Sequence, residues 1–182
     1  GYGEILKHSL IAIKNFFNFL NKNTKKIINL KSPFIEKAIF ESCKIKKNVV
    51  EKDEKEKNLR KILNFGHTFA HAYEASLSYS KKLNHGEAVI LGIKTALSFS
   101  LKNNLLKKDD YYSINNHITN SKLPSNINKF FKTKDLKKIM SFMLKDKKNY
   151  SDKISLVLLK QIGSPIINKE YDKKNLSLFL KK

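Results

Sequence analysis

Cysteine, proline and glycine are all scarce in this sequence: its 182 residues include 1 Cys, 3 Pro and 6 Gly. The single cysteine, Cys43, excludes an intrachain disulfide framework and a cysteine-based zinc finger. So few helix-breaking residues argue against a loop-rich or all-β chain and favour long helices. The most apolar stretch, 88–101, contains Lys94 and is shorter than the roughly 20 residues that a membrane span requires. We therefore expect one mainly α domain in the cytoplasm, without a membrane partner.

Acidic residues and arginine are also few, which gives the chain a formal net charge of +21, from 37 Lys and Arg against 16 Asp and Glu. Only Arg60 is an arginine, whereas nucleic-acid-binding surfaces usually use arginine for bidentate contacts to guanine and phosphate. The lysines are spread along the whole chain, and Lys, Asn, Ile, Phe and Tyr share A/T-rich codons. We interpret the charge as solvated lysine faces and expect no nucleic-acid partner. A basic nucleic-acid-binding helical module stays open as an alternative of a different class.

The spacing of apolar residues predicts a succession of helices. They cover residues 4–21, 33–50, 59–77, 85–101, 109–118, 134–147 and 175–182, and a short β-rich stretch at 154–159 predicts an extended segment. Ser32 is expected to cap a helix that starts at Pro33, and Thr133 to cap a later one. Gly86 and Gly92 are expected to let a neighbouring element approach closely. The sequence begins without Met and enters a helical pattern at once, which indicates the interior of a longer protein.

One helical face collects residue types that are rare elsewhere in the chain. Arg60, Asn64, His67 and His71 are spaced 4, 3 and 4 residues apart, so at 100° per residue they would lie within about 60° of one another on a continuous helix. Two imidazoles four residues apart can bind one metal ion or exchange protons with a substrate. A guanidinium on the same face suits a carboxylate or a phosphate. The alternative is a polar face with two ordinary surface histidines.

A third histidine, His85, opens the next predicted helix, and an αα-hairpin could bring it back toward the first two. Zinc would need a further oxygen or nitrogen ligand and an open position for substrate. The first helix offers Glu4, one turn before Lys7; the alternative is an exposed ion pair worth roughly a few tenths of a kcal/mol. His8 and His117 have no comparable neighbours in the sequence, and we interpret them as structural or surface residues.

These segments resemble one enzyme family. Residues 60–74, RKILNFGHTFAHAYE, and 83–93, LNHGEAVILGI, resemble motifs of 3-dehydroquinate synthase. Residues 1–8, GYGEILKH, resemble the segment that opens the helical C-terminal domain of that family, with Gly where the family usually has Ala at the third position. Stretches 44–60 and 143–163 also resemble the family, so the resemblance covers nearly the whole chain.

The resemblance implies one half of a two-part enzyme. Residues 1–182 would form a single helical domain that binds metal and substrate, the C-terminal domain of the dehydroquinate synthase-like fold. The N-terminal Rossmann-like domain that binds NAD+ would be absent from this chain, in agreement with the lack of a G-x-G-x-x-G loop. The full-length protein would be a homodimer.

The resemblance also implies roles for individual side chains. The metal ion, Zn2+ or Co2+, would be bound by Glu4, His67 and His85. His71 would then transfer protons rather than bind metal, and Glu56 would be a proton acceptor. Substrate contacts would come from Lys7, Lys46, Arg60, Asn64 and one of Lys147 and Lys148.

The family reaction implied by the resemblance converts 3-deoxy-D-arabino-heptulosonate 7-phosphate to 3-dehydroquinate and phosphate, an early step toward chorismate and the aromatic amino acids. In it a substrate hydroxyl is oxidised by NAD+, phosphate is lost, the hydride returns and the ring closes by an aldol step. Other sugar-phosphate cyclases and metal-dependent polyol dehydrogenases of related build stay open as alternatives, since they would share the metal ligands and differ in the substrate-binding lysines.

Overall fold

The computed structural model describes residues 1–145 and 153–181, which form a mainly helical domain with one two-stranded sheet. The helices are α1 (Tyr2–Ala12), α2 (Lys14–Ile28), α3 (Phe34–Lys52), α4 (His67–Ser76), α5 (His85–Lys102), α6 (Lys108–Asn120), α7 (Leu136–Lys145) and α8 (Lys173–Leu180). Short 3-10 segments cover Leu59–Asn64, Ile127–Lys129 and Thr133–Asp135, and the strands are β1 (Lys153–Gln161) and β2 (Ser164–Asp172). The predicted fold class is confirmed.

Helix α5 lies at the centre of the larger hydrophobic core, where it packs against α1, α4, α6 and β1. Apolar residues surround it on most sides, which explains why its sequence is so uniformly apolar. The predicted apolar face of the histidine segment, which comprises Ile62, Phe65, Phe69 and Tyr73, is buried in the same core. Burial of each such side chain contributes about 1.5–3 kcal/mol, so this core fixes the backbone that carries the polar face.

The predicted helix 4–21 is interrupted at Ile13, whose backbone is extended (φ −143°, ψ 115°). In a continuous helix the carbonyl of Leu10 would accept the N–H of Lys14. Here it accepts the N–H of Gly163, at 2.8 Å, from the turn between β1 and β2. The tip of the β-hairpin therefore ends α1 and allows α2 to leave in a new direction.

The predicted helix 59–77 is also interrupted, and the single-stripe geometry inferred for it is wrong. Residues 59–64 form a 3-10 segment, and Gly66 adopts a left-handed backbone (φ +78°) before α4 begins at His67. A Cβ on Gly92 would lie 2.2 Å from the carbonyl oxygen of Gly66, so the backbones of the two segments touch at this point. The position of His67, the first residue of α4, is therefore determined by this close contact with α5 and not by a continuous helix from residue 59.

A second close approach joins α1 to α5. A Cβ on Gly3 would lie 2.4 Å from the carbonyl oxygen of Gly86, whereas a Cβ on Gly86 would meet nothing within 4 Å. The expectation for Gly92 is thus confirmed, and the one for Gly86 is wrong, because the missing side chain that matters is that of Gly3. This contact brings Glu4, the next residue of α1, beside the first turn of α5.

Several predicted boundaries shift. Pro33, not Ser32, precedes the first residue of α3, and Thr133 lies within a 3-10 segment whose Asp135 side chain accepts the N–H of Lys132. The extended segment at 154–159 is part of β1, and it pairs antiparallel with β2, which was not predicted. The polar, Pro165-containing sequence of β2 lacks strand alternation, so only its pairing with β1 identifies it. Among the described residues no helix combines the length and apolar character needed to cross a bilayer.

Candidate metal centre and substrate site

The first turns of three helices meet at one point. Glu4 lies in the first turn of α1, and His67 and His85 are the first residues of α4 and α5. Glu4 Oε1 lies 3.3 Å from His67 Nε2 and 3.9 Å from His85 Nε2. Each residue offers a ligand atom within 4.8 Å of the others, and within residues 1–145 and 153–181 this is the one cluster of His, Cys, Asp or Glu with such spacing.

The donor chemistry of the cluster fits a divalent cation. The Nδ1 atoms face acceptors: that of His67 lies 3.4 Å from the carbonyl oxygen of Phe65, and that of His85 lies 3.1 Å from Glu74 Oε1. With hydrogen on each Nδ1, both Nε2 atoms present lone pairs to Glu4 Oε1. That carboxylate oxygen is buried and has no hydrogen-bond partner among the described residues. Three acceptors arranged in this way fit a divalent cation between them, since ligands about 2 Å from a tetrahedral zinc ion stand about 3.3 Å apart.

A lysine holds the other oxygen of Glu4. Lys7 Nζ donates to Glu4 Oε2 at 2.8 Å, and the Lys7 side chain is only 3% exposed. Burial works against ionisation of Glu4, but two neighbours outweigh it and hold the pKa of the carboxyl well below its usual range: His67, in the protonation state that places a hydrogen on Nε2, and the Lys7 ammonium. Burial lowers the pKa of Lys7, and Glu4 opposes that effect. Glu4 is therefore ionised at neutral pH and has one oxygen left for a cation.

A cavity of about 340 Å³ opens beside the cluster, and it contains nearly all the predicted substrate contacts. Its lining includes Glu4, Lys7, His8, Lys46, Glu56, Arg60, Leu63, Asn64, His67 and His85. The predicted substrate contacts in this cavity come from α1, α3 and the 3-10 segment Leu59–Asn64, so they meet only in the folded chain. Lys147 and Lys148 lie outside the described residues.

The loop 53–58 connects α3 to the 3-10 segment Leu59–Asn64, and the side chain of Asp53 organises it. The sequence analysis gave Asp53 no role. Its carboxylate accepts the backbone N–H groups of Lys57, Asn58 and Arg60 at 2.8–2.9 Å. These hydrogen bonds lower the pKa of Asp53. An aspartate directly after a helix and before a polar loop is the available sequence signal, since Asp side chains commonly cap turns of this kind.

Two of the predicted contacts are tied to this loop. Arg60 Nη1 donates to the carbonyl oxygen of Glu54 at 2.9 Å, and Asn64 Nδ2 donates to Glu56 Oε1 at 3.2 Å. These contacts point the guanidinium and the carboxylate toward the same cavity. The loop and the residues that follow it thus place a guanidinium and a carboxylate in the lining of one cavity.

His71 lies next to the cluster but outside it. Its ring centroid is 5.2 Å from that of His67, one turn earlier on α4. It lines a separate cavity of about 550 Å³, together with Thr68, Glu74 and His85. The placement is compatible with a role other than metal binding, and that role stays a prediction.

The two remaining histidines are both buried. His8 lines the cavity of about 340 Å³, and its Nδ1 lies 2.7 Å from Ser42 Oγ of α3. Burial, aided by the Lys7 charge, lowers the pKa of His8 to about 4. His117 has a structural role: its Nε2 lies 2.9 Å from the Tyr2 hydroxyl and its Nδ1 lies 3.0 Å from Asn21 Oδ1, so it links α6 to α1 and α2.

His117 predicts an acid-sensitive stability. Burial lowers the pKa of His117 from 6.5 to about 4, so the unfolded chain binds a proton that the folded chain excludes. The resulting stabilisation is fully present above pH 6.5 and is lost as pH falls toward 4, by an amount on the order of 3 kcal/mol. Urea unfolding of the wild type and of His117→Gln from pH 7.5 to 4 measures this: the free energy of unfolding of the variant should decline less steeply. Equal slopes would contradict the burial argument.

Comparisons with known sequences identify the relatives of this chain. The family described as "3-dehydroquinate synthase C-terminal" matches residues 1–149. A 3-dehydroquinate synthase of Pelagibacter ubique is 65% identical over the whole chain, which covers 50% of that protein, and one of Dictyoglomus thermophilum is 39% identical and 49% covered. The chain thus spans about half the length of the curated relatives it matches.

Solved structures share the fold at low sequence identity. A 2-epi-5-epi-valiolone synthase from Streptomyces hygroscopicus, with NAD+ and Zn2+ bound, superposes with a TM-score of 0.80 at 16% identity, over 98% of this chain and 49% of the other. A 2-deoxy-scyllo-inosose synthase complexed with carbaglucose-6-phosphate, NAD+ and Co2+ gives 0.72 at 22% identity, over 100% of this chain and 50% of the other. From the match over residues 1–149 and the 65% identical relative, we conclude that the chain belongs to the 3-dehydroquinate synthase C-terminal family.

Proposed function

We propose that this chain is the metal- and substrate-binding half of a 3-dehydroquinate synthase. The reaction would convert 3-deoxy-D-arabino-heptulosonate 7-phosphate to 3-dehydroquinate and phosphate, so the enzyme is a phosphate-eliminating carbon–oxygen lyase. The observation that carries the proposal is the convergence of Glu4 Oε1 with Nε2 of His67 and Nε2 of His85 beside a cavity lined by cationic side chains. The 65% identity to a 3-dehydroquinate synthase supports this reaction over those of other cyclases.

Two cofactors belong to this proposal. Glu4, His67 and His85 would hold Zn2+ or Co2+, which when bound stabilises negative charge on a substrate hydroxyl that loses its proton. NAD+ would be held mainly by a Rossmann-like N-terminal half and supplies a reversible hydride acceptor.

Cationic side chains of this chain would bind and orient the anionic substrate. The Arg60 guanidinium offers a planar fork for a carboxylate or phosphate, and the ammonium groups of Lys7 and Lys46 add point charges. All three line the same cavity. The first turns of α1 and α4 add partial positive charge from their backbone N–H groups. A contact from Lys147 or Lys148 remains part of the proposal.

Proton transfer would be divided between two sides of the site. On the cavity side, Glu56 accepts a hydrogen bond from Asn64, which keeps its carboxylate in place to receive a proton. On the α4 side, His71 can exchange protons with a substrate or leaving-group oxygen. A homodimeric full-length protein, a cytoplasmic location and the lack of a nucleic-acid partner stay predictions.

A two-domain chimera tests the proposal. Residues 1–182 replace the matching half of the Pelagibacter ubique relative, with which they share 65% identity. With Zn2+ and NAD+, the chimera should release phosphate and form 3-dehydroquinate from the heptulosonate phosphate, while residues 1–182 alone should bind metal weakly or not at all and show no turnover. The N-terminal half of the relative, alone, is the matched control.

Two results would contradict the proposal. Formation of dehydroquinate by residues 1–182 alone would overturn the division into two halves. A chimera that binds Zn2+ and NAD+ but leaves the substrate unchanged would overturn the assigned reaction.

A further inference from the structure

Glu74 lies at the Nδ1 side of the His85 ring, whereas Glu4 lies at the Nε2 side. The sequence analysis assigned no role to Glu74. It follows His67 by seven residues on α4, which is nearly two full turns, so the two side chains project from the same face. Both carboxylate oxygens of Glu74 approach one nitrogen, Nδ1 of His85, at 3.1 and 3.2 Å. The carboxylate therefore spans from one ligand-bearing helix to the other.

The two histidines of the cluster differ in how they are held. The His67 side chain is 13% exposed, and its Nδ1 faces a carbonyl oxygen of its own chain segment, two residues away. The His85 side chain is 52% exposed and sits at the first residue of α5, where the helix backbone does not restrict it on the N-terminal side. Glu74, whose side chain is 11% exposed, provides the hydrogen-bond contacts to the His85 ring. Of the two imidazoles, that of His85 thus depends on a distant side chain for its orientation.

A carboxylate at this position determines the chemistry of the ring. An ionised carboxylate only accepts hydrogen bonds, so it keeps hydrogen on Nδ1 and leaves the lone pair on Nε2. That Nε2 is the atom 3.9 Å from Glu4 Oε1. A carboxylate hydrogen-bonded to the far nitrogen of a ligating imidazole commonly strengthens the bond of that imidazole to a metal ion.

We propose that Glu74 is a positioning residue of the metal centre, which fixes the tautomer and direction of His85 and thereby sets the affinity for the divalent ion. The inference rests on the proposed function, since it takes the cluster of Glu4, His67 and His85 as the metal site. A simple ion pair between Glu74 and His85 would contribute to folding stability alone. The two interpretations differ in whether metal affinity changes when Glu74 is replaced.

The test is a Co2+ titration of the two-domain chimera, followed by the visible absorption of the bound ion. Glu74→Ala should weaken Co2+ binding by about 10- to 100-fold and change the absorption spectrum, because the imidazole ligand loses its orientation. Glu74→Gln keeps an oxygen acceptor without the charge, so it should restore part of the affinity. The control is Glu87→Gln: the Glu87 carboxylate caps α5 by accepting the N–H of Asn84 at 2.9 Å and makes no hydrogen bond to His85. This control should leave Co2+ affinity and spectrum unchanged even if it lowers the thermal midpoint.

The results distinguish a failure of the role assigned to Glu74 from a failure of the metal site itself. Wild-type affinity and spectrum in Glu74→Ala would overturn the inference and leave the metal site intact. Equal weakening by the Glu74 and Glu87 substitutions would also overturn it, since a general loosening of α5 would then be the cause. Co2+ binding that survives His67→Ala, or a wild-type chimera that binds no Co2+, would overturn the metal site itself.

Discussion

Replacing His67 with alanine in the two-domain chimera is expected to abolish metal retention and with it the formation of dehydroquinate. His67 Nε2 lies 3.3 Å from Glu4 Oε1 and belongs to the cluster whose ligand atoms all lie within 4.8 Å. Loss of a side chain that only orients a metal ligand already costs about 10- to 100-fold in metal affinity, so loss of the ligand itself should cost more. Metal content after dialysis, measured by elemental analysis, gives the result directly.

The matched variant is His71→Ala, four residues later on the same helix. His71 lies beside His67, at 5.2 Å between ring centroids, and outside the ligand cluster. The variant should keep its metal and lose activity by about 10²- to 10⁴-fold, which is the usual contribution of a proton-transferring side chain. Equal metal loss in both variants would contradict the assignment of ligands.

Replacing Arg60 with alanine should raise KM for the heptulosonate phosphate strongly. Arg60 lines the cavity, and its side chain is held by the carbonyl oxygen of Glu54. Losing a charge-assisted contact to an anion costs roughly 2–4 kcal/mol, which corresponds to about 30- to 1000-fold in kcat/KM. Steady-state kinetics with varied substrate measure the change, and Arg60→Lys should recover only part of it because an ammonium lacks the planar fork.

The neighbouring lysine provides the control for this prediction. Lys61 Nζ donates to Asn168 Oδ1 at 2.9 Å, and Lys61 is not part of the cavity lining. Lys61→Ala removes one positive charge at the adjacent position and should leave KM within about twofold. A similar rise in KM for both variants would indicate that net charge, rather than the Arg60 contact, attracts the substrate.

Helices with a continuous apolar face were predictable from sequence because their periodicity is local. The segment that opens at His85 and the buried face formed by Phe65, Phe69 and Tyr73 are examples. Helix interruptions were not predictable because their causes are distant. For example, the N–H of Gly163 donates to the carbonyl oxygen of Leu10, although the two residues are about 150 positions apart in the chain.

The site was predictable to the extent that residue type reveals chemistry. Glu4, His67 and His85 were identified from the family motifs, and the structure brings them together. Asp53 and Glu74 were not identified, because a carboxylate that orients a neighbour looks like any surface acid in sequence. His8 was expected at the surface or in a structural position, and its place in the cavity wall depends on how α1 packs against α3.

The most direct measurement is a crystal structure of the Zn2+-loaded chimera with anomalous diffraction recorded at the zinc absorption edge. We predict one strong anomalous peak, about 2.0–2.2 Å from Glu4 Oε1, His67 Nε2 and His85 Nε2. A peak elsewhere, or a peak that is not bonded to all three of these atoms, would contradict the assignment of Glu4, His67 and His85 as the metal ligands.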